Sequence, residues 1–128
     1  MAVVHIRKDL AAKEMTLEMQ IVDSNERSQD LPPEVNIMVV FDEHDDKKNV
    51  VTLTRGKKHN LGPCINKDLK RDSAQIQAIS AATESRVYTV VLVLSADGKS
   101  LHTDRVDVDI ANAISMRRLS WSYIMETT

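Results

Sequence analysis

The chain is poor in the residues that brace or punctuate small folds, with one cysteine, three glycines and three prolines. Cys64, standing alone, cannot form an internal disulfide. Aromatic residues are as scarce, with one Phe, one Trp and two Tyr, so a core must be aliphatic, built from Val, Ile, Leu and Met. No apolar run approaches the length that spans a bilayer, and no apolar leader segment follows Met1. Together with the unpaired cysteine, this points to a cytoplasmic protein, or one assembled into a particle made in the cytoplasm. Neither sign of charge dominates: the net charge is -2, which argues against a general nucleic-acid binder.

What is present suffices for one domain. At 128 residues the chain is long enough to bury a single core unaided, and residues 1–128 read as a single β-sandwich domain. The clearest local signal runs from Arg86 to Ile110. An apolar run, an Ala-Asp-Gly-Lys turn and the alternating Val106, Val108 and Ile110 specify a hairpin, with Asp97-Gly98 supplying the positive φ of the turn. The first strand is apolar on both faces, which places it inside a sheet.

Other strands follow from period-two alternation at 2–6, 15–21, 35–41 and 49–54. The last two are hairpin partners across the charged connection 42–48. Residues 9–14 suit one helical turn. Residues 72–83 fit a helix (Ile76 and Ile79) almost as well as a strand (Ile76 and Ala78); strand is favoured because the neighbouring strands need a partner. Residues 23–34, with Pro32-Pro33, read as a loop, and 55–71 as a long loop without period. Leu119, Trp121, Tyr123 and Met125 alternate in 111–128, a C-terminal strand or interaction tail. The sum is an all-β, antiparallel, immunoglobulin-like sandwich of about 7 strands, with at most one short helix.

Chemistry-bearing motifs mostly dissolve on inspection. Gly98-Lys99-Ser100 resembles the end of a phosphate loop, but the glycine required five residues earlier is Val93, inside a strand. The stretch 42–48 holds four carboxylates and His44, yet Lys47 stands where a calcium loop of the EF-hand type needs glycine. Asp42, Asp45 and Asp46 suit a C2-like calcium site only if another loop, through Glu84, adds ligands. His5, His44, His59 and His102 lack metal-ligand spacing. Cys64 and His59 share a loop but have no identifiable orienting group or oxyanion site. No catalytic, cofactor or metal constellation is expected.

Two features stand out from that background. Arg55, Lys57, Lys58, Lys67, Lys70 and Arg71 face only Asp68 within 55–71, so this segment carries +5 in a chain of net -2. Such a loop suits contact with an anion or an acidic partner, though it lacks aromatics to stack on bases. Leu119, Trp121 and Tyr123 suit strand addition to a neighbour or packing on their own domain. In a simple up-and-down strand order the acidic 42–48 and basic 55–71 segments fall at opposite ends. That would allow head-to-tail contacts between copies.

The function expected is therefore non-enzymatic: a structural or interaction protein, working through protein partners or as a homo-oligomer in a larger assembly such as a virion or phage particle. The alternative is a C2-like module that binds nucleic-acid phosphate or anionic lipid through 55–71, with or without calcium.

Overall fold

The computed structural model describes residues 2–43, 50–81, 85–110 and 114–127. Within them nine strands form two facing sheets. In chain order they are β1 (Ala2–Ile6), β2 (Glu14–Val22), β3 (Val35–Glu43), β4 (Val50–Leu53), β5 (Lys58–Pro63), β6 (Arg71–Ser80), β7 (Arg86–Ala96), β8 (Lys99–Ile110) and β9 (Ile114–Met125). The five-stranded sheet has the order β1-β9-β6-β3-β4, and the four-stranded sheet β5-β2-β7-β8. All pairs are antiparallel except β1 with β9. The all-β sandwich is as expected. Its strand order is not the ABED/CFG order of immunoglobulin constant domains: here the chain's first strand pairs with its last.

The period-two signals place side chains where they should. Met15, Leu17, Met19 and Ile21 point inward from β2, as do Val35, Ile37, Val39 and Phe41 from β3, and all eight are buried. Tyr88, Val90, Leu92 and Leu94 of β7 meet Val106, Val108 and Ile110 of β8 in the same core. Each buried aliphatic side chain contributes about 1.5–3 kcal/mol, so this stripe pattern dominates the energetics. The β7–β8 hairpin turns at Asp97 (φ 52°) and Gly98 (φ 72°), the two successive positive values that a type I′ turn demands. β7 is interior, between β2 and β8.

The ambiguous 72–83 segment is resolved as β6, central between β3 and β9. Burial decided it: alternate residues Ala74, Ile76 and Ala78 are buried, and the flanking strands supply both ladders. Residues 9–14 give only a 3-10 turn at Lys8–Leu10 before β2 begins.

One expectation requires correction. The segment 55–71 is not one long loop; it contains β5 and a 3-10 turn at Cys64–Lys67. Its polar, aperiodic sequence conceals a strand because β5 lies at the sheet edge and buries only Leu61. The tail forms the expected C-terminal strand. β9 pairs with β6 along nine residue positions and with β1 along five. Trp121 and Tyr123 are buried by this chain's own sheets, while Leu119 and Met125 pack partly against the same core. Trp121 and Tyr123 are thus taken up by this chain's own core, and Leu119 is partly covered by it.

Because the contact is internal, Trp121→Ala should cost about 3–5 kcal/mol of folding stability. Urea titration of the variant beside the parent chain measures it.

Candidate functional site

The two sheets are bridged at one end by a buried cluster of charged groups. On β3 the inward stripe Val35, Ile37, Val39, Phe41 continues to Glu43; on β6 the inward stripe of Ala78, Ile76 and Ala74 ends at Asp72. Glu43 and Asp72 are register partners, so both carboxylates enter the sandwich side by side. Between them comes Lys67, the last residue of the 3-10 turn, with its side chain only 3% exposed. Its Nζ lies 2.6 Å from Glu43 Oε2, 2.8 Å from Asp72 Oδ2 and 3.1 Å from Asp72 Oδ1.

Aromatic groups close the cluster. Tyr123 donates its hydroxyl to Asp72 Oδ2 and accepts from Trp121 Nε1 at 2.6 Å. The Lys67 ammonium sits 5.5 Å from the centre of the Tyr123 ring, a cation–π distance. Phe41 stacks on Trp121 with ring centres 6.0 Å apart, and His59 tilts against the other side of Phe41. His59 Nε2 is enclosed, makes no hydrogen bond among the described residues, and lies 3.8 Å from Glu43 Oε1.

Low-dielectric surroundings set the proton affinities. Burial pushes the Asp72 carboxyl up from its ordinary value, against the opposing pull of Lys67 and of the Tyr123 hydrogen bond. Burial and the adjacent Asp72 push the Tyr123 phenol up strongly, so it remains a donor. Nearby Cys64 is buried, and that burial, seconded by the Glu14 carboxylate, raises its thiol.

The six predicted anion-contact residues do not form one surface. Lys67 must be withdrawn from the set, because its charge is held inside by two carboxylates. Arg55 bonds to Ser28 at 2.9 Å and pairs with Asp30 at 2.8 Å. Lys58 faces Glu18 at 3.6 Å, and Lys57 occupies the turn before β5. Lys70 and Arg71 lie beyond the 3-10 turn, so the whole of β5 separates them from Arg55, Lys57 and Lys58.

Of the basic segment, Lys67, Lys70 and Arg71 lie at the end where β3 finishes at Glu43, while Arg55, Lys57 and Lys58 lie before β5, away from it. β3 and β5 both run toward the same end of the sandwich, where Glu43 meets Lys67 and where the Asp97 turn approaches Lys13 at 3.9 Å. Residues 44–48 and Glu84, weighed as calcium ligands, lie outside the described residues. Among the described residues no group of three or more His, Cys, Asp or Glu is placed to hold a metal. No helix among them is long and apolar enough to cross a membrane.

A second feature lies on the surface. The outer face of the five-stranded sheet exposes Ile79 and its register partner Ile114, with Met116 beside them and opposite Gln77. Ile114 is 68% and Met116 59% exposed. Val3 and Ile124 stand exposed on the same face, on β1 and β9. Between these ends runs a shallow polar groove lined by Val40, Asp42, Ser73, Gln75, Arg118 and Ser120. On the outer face of the four-stranded sheet Glu18, Gln20, Arg105, Asp107 and Asp109 flank the outward β7 residues Val87, Thr89, Val91 and Val93, with Val87 exposed, Val91 covered and Thr89 bonded to Asp107 at 2.8 Å.

Sequence reasoning missed Glu43, Asp72 and His59. A signal existed for the first two, since each occupies the next inward position of an apolar alternation. Comparison with protein-family models, with curated proteins and with solved structures finds no match for the chain.

Two outcomes follow from the cluster. Lys67→Met should destabilise the fold by about 3–5 kcal/mol, because two buried carboxylates lose their counter-charge; adding Glu43→Gln and Asp72→Asn should recover most of that loss in urea titrations. A thiol raised above its ordinary 9.0 favours the fold fully below that value and loses the contribution as pH rises through the folded value. Native Cys64 should therefore alkylate about ten-fold or more slowly at pH 8 than in the urea-unfolded chain, as iodoacetamide labelling followed by mass spectrometry would show.

Proposed function

We propose that the protein works without catalysis, as a structural or interaction subunit of a larger assembly such as a virion or phage particle. The observation that carries this reading is the asymmetry of the two outer faces. A sheet face turned to water is ordinarily polar; on the four-stranded sheet the charged and polar side chains of β2 and β8 flank the outward valines of β7, of which Val91 is covered and Val87 is exposed. The five-stranded sheet instead offers Ile79, Ile114 and Met116 together, on two successive outward-facing register pairs of two neighbouring strands, β6 and β9.

A contiguous exposed apolar patch rimmed by polar groups marks a protein contact. Here the rim is the groove with Arg118 and Asp42, one group of each sign, which suits hydrogen bonding at the border of an interface. The occupant this face fits best is a second copy of the chain. The same patch is self-complementary across a two-fold axis, apolar on apolar.

Size-exclusion chromatography with light scattering tests the reading. The parent chain should run as a dimer or higher oligomer, and Ile79→Lys with Met116→Lys should shift it to monomer while leaving the melting temperature within a few degrees, because both side chains are exposed. A parent chain that stays monomeric at high concentration overturns the self-association.

A further inference from the structure

Lys67 and Asp72 are held together more tightly than an ordinary surface ion pair. They are five residues apart, and the chain between them is a fixed turn: Lys70 N–H bonds to the Lys67 carbonyl at 2.9 Å, Leu69 N–H to the Tyr123 carbonyl at 3.0 Å, and Tyr123 N–H to the Lys70 carbonyl at 3.1 Å. The Lys67 nitrogen contacts both oxygens of Asp72, within 3.1 Å, and so faces the carboxyl group as a whole. Bulk water is excluded, for the two side chains are 3% and 1% exposed. Oriented, desolvated reactants of this kind have effective concentrations far above anything reached in solution.

We propose that Lys67 and Asp72 condense to an intramolecular amide, with Glu43 carrying the proton and Tyr123 holding the developing oxyanion. In water an ammonium has no free electron pair and a carboxylate is a poor electrophile. Burial penalises the carboxylate and favours the neutral acid; the upward displacement of Asp72 is in that sense.

The step begins with transfer of one proton from the Lys67 ammonium to Asp72 Oδ1. The Nζ electron pair then attacks Cγ, and the C=O pair moves onto Oδ2, where Tyr123 already donates. That hydroxyl is itself polarised by the Trp121 N–H, so the donor is oriented before charge develops. Glu43, 2.6 Å from the nitrogen, removes a proton from it and passes that proton to the Oδ1 hydroxyl. The hydroxyl leaves as water while the Oδ2 pair re-forms the carbonyl. Overall an ammonium and a carboxylate give an amide and one water, and Glu43 ends as it began.

Asp72 is assigned as the electrophile because its Oδ2 has the Tyr123 donor. Glu43 touches the amine through a single oxygen, the geometry of a proton carrier. The product replaces a buried ion pair by a neutral group and removes the desolvation cost of two charges. This inference stands apart from the assembly reading and does not rest on it.

Peptide mapping by tandem mass spectrometry of the folded, purified chain is the test. The expected result is a branched peptide joining Lys67 to Asp72, lighter by about 18 Da, one water, than the two sequences combined. Lys67→Met and Asp72→Ala should abolish it. Glu43→Gln should leave the two residues unjoined in a chain whose far-UV circular dichroism is unchanged. If Glu43→Gln does not fold, Glu43→Asp serves instead, with the carboxylate set back by one methylene and cross-linking slowed. A wild-type chain that keeps Lys67 and Asp72 unmodified after days in the folded state overturns the proposal. A branch mapped to Glu43, or cross-linking of the Glu43 variants at the wild-type rate, overturns the assignment of roles.

Discussion

The structure turns on one buried lysine. Taking an ammonium and two carboxylates out of water costs several kcal/mol per ion, and the fold accepts this at the point where the chain crosses from one sheet to the other. Lys67 ends the 3-10 turn that links β5 of the four-stranded sheet to β6 of the five-stranded sheet. Its two partners sit on β3 and β6, and Tyr123 ties β9 to the same group. Four elements are therefore positioned by one charge. A hydrophobic contact here would bind them without fixing direction, whereas three short polar contacts specify where the crossing must lie.

Around this point the chain uses its few aromatic residues economically. Phe41, Trp121 and Tyr123 surround the cluster, together with His59. Elsewhere the core is aliphatic apart from Tyr88. The aromatic rings do two things that aliphatic side chains cannot: the Tyr123 and Trp121 donors satisfy buried oxygen atoms, and the Tyr123 ring offers its face to the ammonium. Placing three of the four at one end leaves Val, Ile, Leu and Met, with Tyr88, to fill the remainder.

The surfaces are managed differently from one side to the other. β8 is a long edge strand, and edges of that length invite unwanted pairing. Here it carries Asp107 and Asp109 outward, and the half-buried pair His102 and Asp104, 3.1 Å apart, on the opposite side. Charge on both faces of an edge discourages another strand from adding to it. The outer face of the five-stranded sheet has no such protection at Ile79, Ile114 and Met116. Contact through a sheet face, with edge addition opposed, is the mode of association these features favour.

Much of the fold was legible in the chain because alternation of apolar residues is a local property. β2, β3, β7 and β8 could be read from Met15 to Ile21, Val35 to Phe41 and Arg86 to Ile110, since each residue's facing follows from its neighbours'. β6 was readable only as a choice between two periods, and the ladders to β3 and β9 settled it. β5 could not be read, because an edge strand that buries only Leu61 has almost no apolar alternation to display. Strand order, and with it the meeting of Glu43, Lys67 and Asp72, belongs to the tertiary structure alone. Lys67 and Glu43 are 24 residues apart, and no local rule links a lysine in a basic stretch to a carboxylate at a strand end. Position along the chain made Lys67 one of six similar cations; burial between two sheets gave it a different chemistry from the other five.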